Sequence, residues 1–118
     1  MEIKTFRDLI AWQKAMRLAK EVYQATSLMP DSERFGLTAQ MRRAAVSISS
    51  NIAEGYGRES LSDYIRFLKT ARGSLMELET QLILAQDLEF LRSSLGLSEL
   101  LNETGRVLQG LIGSLKEK

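Results

Sequence analysis

Apolar residues recur along this chain at spacings of three and four, and no segment sustains the alternation of a half-buried strand. Pro30 and the glycines at Gly55 and Gly57 punctuate the pattern, with further glycines toward the C-terminus. The periodicity predicts helices over roughly 7–27, 32–55, 60–91 and 98–116. Leu9, Trp12, Met16, Ala19 and Tyr23 form the apolar face expected of the first helix, with Lys14, Arg17, Lys20 and Glu21 largely opposite. The second is expected to bury Leu37, Met41, Ala44, Ala45, Ile48 and Ile52. The third stripe is Leu61, Tyr64, Leu68, Ala71, Leu75, Leu78 and Leu82; the fourth is Leu100, Leu101, Thr104, Val107, Leu108, Leu111 and Leu115.

The ends of these segments carry stop and start signals. Met29-Pro30 ends the first helix, because the residue before a proline is steered from helical geometry. Asp31 or Ser32 is placed to cap the second, with Glu33 in its first turn, and Ser98 to cap the fourth. Ser60 and Asp63 are spaced as a capping box, each satisfying the other's free amide. Gly105, Gly110 and Gly113 make the last helix intrinsically the weakest, since glycine costs about 1 kcal/mol against alanine inside a helix. Short connections between long helices force antiparallel neighbours. The expected fold is all-α: one domain over residues 1–118, an up-down-up-down antiparallel four-helix bundle with a left-handed supercoil.

Two helices have more apolar surface than one face needs. Ala39, Val46 and Ala53 recur every seven residues on a second side of helix two, and Phe67, Leu84 and Leu88 lie off the main stripe of helix three. No helix is central in a simple four-helix bundle, so the surplus points to packing between copies of the chain.

Composition narrows the chemistry. The 118 residues contain no Cys and no His, which removes disulfides, thiolate nucleophiles and the commonest neutral-pH base and transition-metal ligand. Glu77 and Glu79 point to different sides of a helix and form no acid–base pair, and no Glu-x-x-His ligand set exists. Catalytic residues, a metal site and a cofactor are therefore not expected, and an enzyme is the weakest reading. No apolar run approaches the roughly 20 residues that span a bilayer, and the first residues do not resemble a signal peptide, so a soluble cytoplasmic protein is expected.

Charge is uneven although the whole chain carries only +1. Residues 1–33 are neutral, 34–76 carry +4 and 77–118 carry −3. Within the basic middle, Arg58, Arg66, Lys69 and Arg72 fall away from the main stripe of helix three, and Arg42 and Arg43 come from helix two. Guanidinium forks match phosphate bidentately, so these six are the candidate nucleic-acid-binding residues. A polar arc of helix two, Gln40, Arg43, Ser47, Ser50, Asn51 and Glu54, reads either as a ligand face or as a hydrogen-bonded seam, with Arg43 and Glu54 paired to neighbours. Glu54-Gly55-Tyr56-Gly57-Arg58 is not a phosphate loop: no strand precedes it, Ser60 replaces the third glycine, and no Lys-Ser/Thr pair follows. It reads as a turn needing positive φ at one or both glycines.

Four motifs carry a resemblance. They are Asp8-Leu9-Ile10-Ala11-Trp12-Gln13-Lys14-Ala15, Gly36 through Ile48, Ser50-Asn51-Ile52-Ala53-Glu54-Gly55-Tyr56-Gly57-Arg58, and Arg66 through Glu79. In this order they resemble the four-helix bundle family encoded by intervening sequences in bacterial 23S rRNA genes, whose relatives include accessory proteins of diversity-generating retroelements. Ser49 departs from the family pattern, where many members place proline. The resemblance implies a homopentamer and an RNA-related role without established catalysis, with a reverse transcriptase or other protein as a further partner. Two readings follow: a non-catalytic oligomer that binds RNA or DNA backbone through its basic surface, or a scaffold that recruits a protein and touches no nucleic acid.

Overall fold

Four α-helices carry the chain: α1 (Ile10–Thr26), α2 (Leu37–Tyr56), α3 (Leu61–Asp87) and α4 (Leu95–Lys116). The computed structural model describes residues 2–92 and 95–118, among which there is no strand. Each helix packs on the two that adjoin it in a square, α1 on α2 and α4, and α3 on α2 and α4. Ser47 meets Ser74 while Gly55, further along α2, meets Phe67, earlier in α3, so these two helices run antiparallel. Arg72 meets Gln109 while Leu75 meets Gly105, and α3 and α4 are likewise antiparallel. The result is a rod of 46 × 25 × 20 Å.

The helix ends differ from expectation in ways that have local causes. Thr5 and Asp8 form a capping box around a 3-10 turn, Phe6–Asp8, after which Leu9 is extended, so α1 starts only at Ile10. Asp31 and Ser32 lie in a second 3-10 turn, Asp31–Glu33, and cap nothing; Glu33 Oε1 instead accepts the Leu37 N–H at 3.1 Å, which delays α2 to Leu37. At α3 only half of the expected box forms, Ser60 Oγ accepting the Asp63 N–H at 3.1 Å. The α3 C-terminus comes at Asp87, earlier than its apolar pattern suggests. Phe90 N–H bonds Ala85 O at 2.9 Å and Glu89 N–H bonds Gln86 O at 3.0 Å, a Schellman closure with Glu89 at φ 62°. α4 begins at Leu95, so Ser98 sits inside it rather than capping it. Ser49 leaves α2 unbroken and returns its hydroxyl to Val46 O at 3.1 Å.

The core confirms three stripes and rotates the fourth. Every expected position of α2 is buried, as are Leu68, Ala71, Leu75, Leu78 and Leu82 of α3; Leu61, at the helix start, is exposed. In α4, Leu97 and Ile112 join the core, while Val107 and Leu111 are half-buried at its margin. In α1 the buried line is Ala11, Ala15, Leu18 and Val22, with Ala19 at its edge. Met16 and Tyr23 are exposed, and Trp12 is half-buried beneath Phe6, their rings edge to face at 5.2 Å. Ala11 and Ala15 thus face inward with Leu18 and Val22, and the bulkier Met16 and Tyr23 are left on the flank of α1.

Candidate nucleic-acid interface

The turn from α2 to α3 is built by close approach rather than by unusual backbone torsion. No glycine has positive φ among the described residues, which corrects the expectation for Gly55 and Gly57. Gly55 is buried where α2 meets α3: a Cβ there would lie 2.8 Å from Phe67 Cβ and 3.2 Å from Tyr64 O. Tyr56 and Tyr64 meet edge to face at 6.1 Å beside it. Burial, reinforced by Tyr56, pushes the Tyr64 hydroxyl up to about 12, so it is a neutral hydrogen-bonding group at any physiological pH.

This close turn brings Arg58 back over the first turns of α3. The Arg58 guanidinium lies 4.3 Å from the Phe67 ring centroid, and that of Arg66 lies 4.9 Å from the same centroid. Two cations thus converge on one half-buried ring, and their mutual repulsion favours an anion beside them. Arg66 also approaches Asp63 at 3.5 Å, but both side chains are largely exposed and the pair is only weakly neutralising. One turn further on, Lys69 shares a groove with Ser62, Ile65, Arg66, Thr70 and Lys116, a space of about 630 Å³. Lys116 comes from the last turn of α4 and was not among the expected site residues. Its position could not be seen in a C-terminal segment whose net charge is negative, because only the α3–α4 register sets it beside Lys69.

The six expected cations therefore divide. Arg58, Arg66 and Lys69 lie together at one end of the rod, and Arg72 follows along the α3–α4 side, donating to Gln109 Oε1 at 2.8 Å. Arg42 is elsewhere and engaged: its Nε donates to Thr26 Oγ1 at 2.9 Å, its Nη2 to Tyr23 O at 3.3 Å, and it lies 4.5 Å from the Tyr23 ring centroid. It locks α2 to the end of α1. Arg43 is exposed on the α2–α3 side, away from the groove at Lys116.

The polar arc of α2 also divides. Ser47 Oγ and Ser74 Oγ are 2.9 Å apart, and Asn51 Nδ2 donates to Ser47 O at 2.8 Å and Oγ at 3.0 Å, a seam between α2 and α3. Arg43 and Glu54, expected to pair with neighbours, make no ion pair among the described residues. No cluster of three or more carboxylates placed to hold a metal occurs among them. Nor is any helix, among the described residues, long and apolar enough to cross a membrane.

A closed antiparallel bundle with a cation-rich end and no metal cluster among its described residues defines a small helical-bundle protein. Within that class, the chain belongs to the 23S rRNA-intervening sequence protein family, whose model matches residues 7–112. No curated protein matches it significantly.

Proposed function

We propose that this chain is a non-enzymatic, self-associating helical bundle that binds the backbone of structured RNA or DNA. Its contact surface is the end carrying Arg58, Arg66, Lys69 and Lys116, extended by Arg72. The observation that carries the reading is that Arg66 and Lys69 of α3 share one groove with Lys116 of α4, while Arg58 from the α2–α3 turn meets Arg66 on the Phe67 ring; Asp63 is the one ion-pair partner of these cations among the described residues. Membership in a family described by its link to 23S rRNA supports RNA as the ligand. The aromatic rings nearby are turned to each other or covered by arginine, so the contact reads phosphate rather than bases.

Fluorescence anisotropy with a labelled structured RNA at low salt tests this. Binding should weaken with log K falling by about 0.7–0.9 per phosphate neutralised, so four engaged cations give a slope of about −3 per protomer. Arg66→Glu with Lys69→Glu should abolish binding and leave the helical circular dichroism and the particle mass unchanged. Absence of binding at low salt, or binding indifferent to salt, would overturn the reading. If the double change alters assembly first, the cations belong to subunit seams, and the protein-recruiting scaffold replaces nucleic-acid binding.

A further inference from the structure

We propose that the cleft between α2 and α3 is a binding site for a small zwitterion of amino-acid size. The cleft is an open one of about 450 Å³, lined by Gln40, Arg43, Ala44, Ser47, Glu77 and Gln81. That volume falls within the range of small-ligand pockets. The lining is mostly polar, yet its groups do not satisfy one another. Gln81 is 9% exposed, and its Oε1 is buried without a hydrogen-bond partner. A buried acceptor of this kind is rare in folded proteins, where buried polar atoms are paired. The terminal torsion of glutamine is broad and soft, so a donor arriving in the cleft can draw the oxygen toward it.

The charges on the two walls point to the kind of donor. Arg43 from α2 and Glu77 from α3 line the same cleft, opposite in sign, yet they form no ion pair with each other or with any other described residue. An unpaired cation and an unpaired anion lining one cleft are complementary to a molecule that carries both charges. The Arg43 fork suits a carboxylate bidentately; Glu77 and Gln81 Oε1 are acceptors for an ammonium group. The small side chains of Ala44 and Ser47 leave room in its wall, and Ser47 is held in place by its hydrogen bond with Ser74. Arg43 lies away from the groove at Lys116, so this site is independent of the nucleic-acid reading.

Titration of the full chain with L-alanine, L-serine and L-glutamine, followed by the Gln81 side-chain amide in NMR spectra and by thermal melting, tests the proposal. At least one of the three should bind saturably, while propionate and ethylamine, each with one charge, should not at equal concentration. Arg43→Gln and Glu77→Gln should each weaken binding about tenfold or more, as expected for loss of a charge-assisted pair. Gln81→Leu should raise the melting temperature of the free protein and erase the ligand response, an outcome that a merely structural glutamine would not produce. The proposal is wrong if none of the three amino acids binds, or if the singly charged analogues bind as well. It is equally wrong if the Gln81 amide proves to be shielded by a second copy of the chain.

Discussion

Gly55 illustrates how a single missing side chain sets the geometry of the cation-rich end. With Phe67 Cβ 2.8 Å and Tyr64 O 3.2 Å from where its Cβ would stand, Gly55→Ala must push α3 away from α2. Overpacking of this sort costs about 1–3 kcal/mol, and urea unfolding should report a loss in that range. The displacement would also carry Phe67, and with it the ring that Arg58 and Arg66 share. The sequence marks Gly55 as special but not why. Glycine serves positive φ and close approach equally, and only the neighbour's position separates the two. Arg42 makes the same point for charge: in sequence it is indistinguishable from Arg43, yet it is spent on Thr26 and Tyr23 while Arg43 stays exposed.

At the scale of elements, periodicity identified all four helices and most of their buried faces, because core burial of apolar side chains imposes the same spacing that the sequence displays. It failed where a boundary is settled by backbone hydrogen bonding rather than by side-chain pattern. The α3 terminus is the clearest case: Leu88, Phe90 and Leu91 continue the apolar rhythm, but the Schellman bonds to Ala85 and Gln86 end the helix. Glu89 occupies the left-handed position at φ 62°, where glycine is the favoured residue. Glu89→Gly should therefore stabilise the protein by about 1 kcal/mol, seen as a higher urea midpoint at unchanged slope. The α1 stripe failed for another reason: Ala11 and Ala15 fill half of the buried line beside Leu18 and Val22, and alanine gives little contrast against a rival stripe that holds Trp12, Met16 and Tyr23.

Across the whole molecule, one ion pair ties the first helix to the last, and apolar surface is left on the outside. Lys14 of α1 is hydrogen-bonded to Glu103 of α4, joining the first helix to the last. That hydrogen bond, with the nearby positive charge, holds the Glu103 carboxyl below its ordinary value of 4.5. A depressed native pKa contributes stability above the unfolded value, and that contribution disappears as pH falls through the native one. Acid unfolding of Glu103→Gln should accordingly be less steep than that of the wild type below pH 4.5, with the two converging at the acid extreme. On the outside, Val46 of α2 and Leu84 and Leu88 of α3 are 42%, 46% and 50% exposed in the single chain. They belong to the surplus faces that the heptad spacing of α2 and the off-stripe leucines of α3 disclose. If these faces meet in a homo-oligomer, Val46→Glu with Leu84→Glu should shift light-scattering mass toward the monomer while helicity stays intact. A wild-type monomer at micromolar concentration would refute self-association.

What the amino-acid order determined by itself is the set of elements: four amphipathic helices, most of their apolar stripes, a side-chain inventory without Cys or His, and a basic middle third. These are local properties, since the face a residue occupies depends only on its position along its own helix. The tertiary structure decided which of the basic residues lie together. Lys116 stands beside Lys69, Arg58 bends back over Phe67, Arg42 is used up between α1 and α2, and Gln81 lines the same cleft as Arg43. Each of these follows from the register and closeness of neighbouring helices, which side chains far apart in sequence settle jointly by packing.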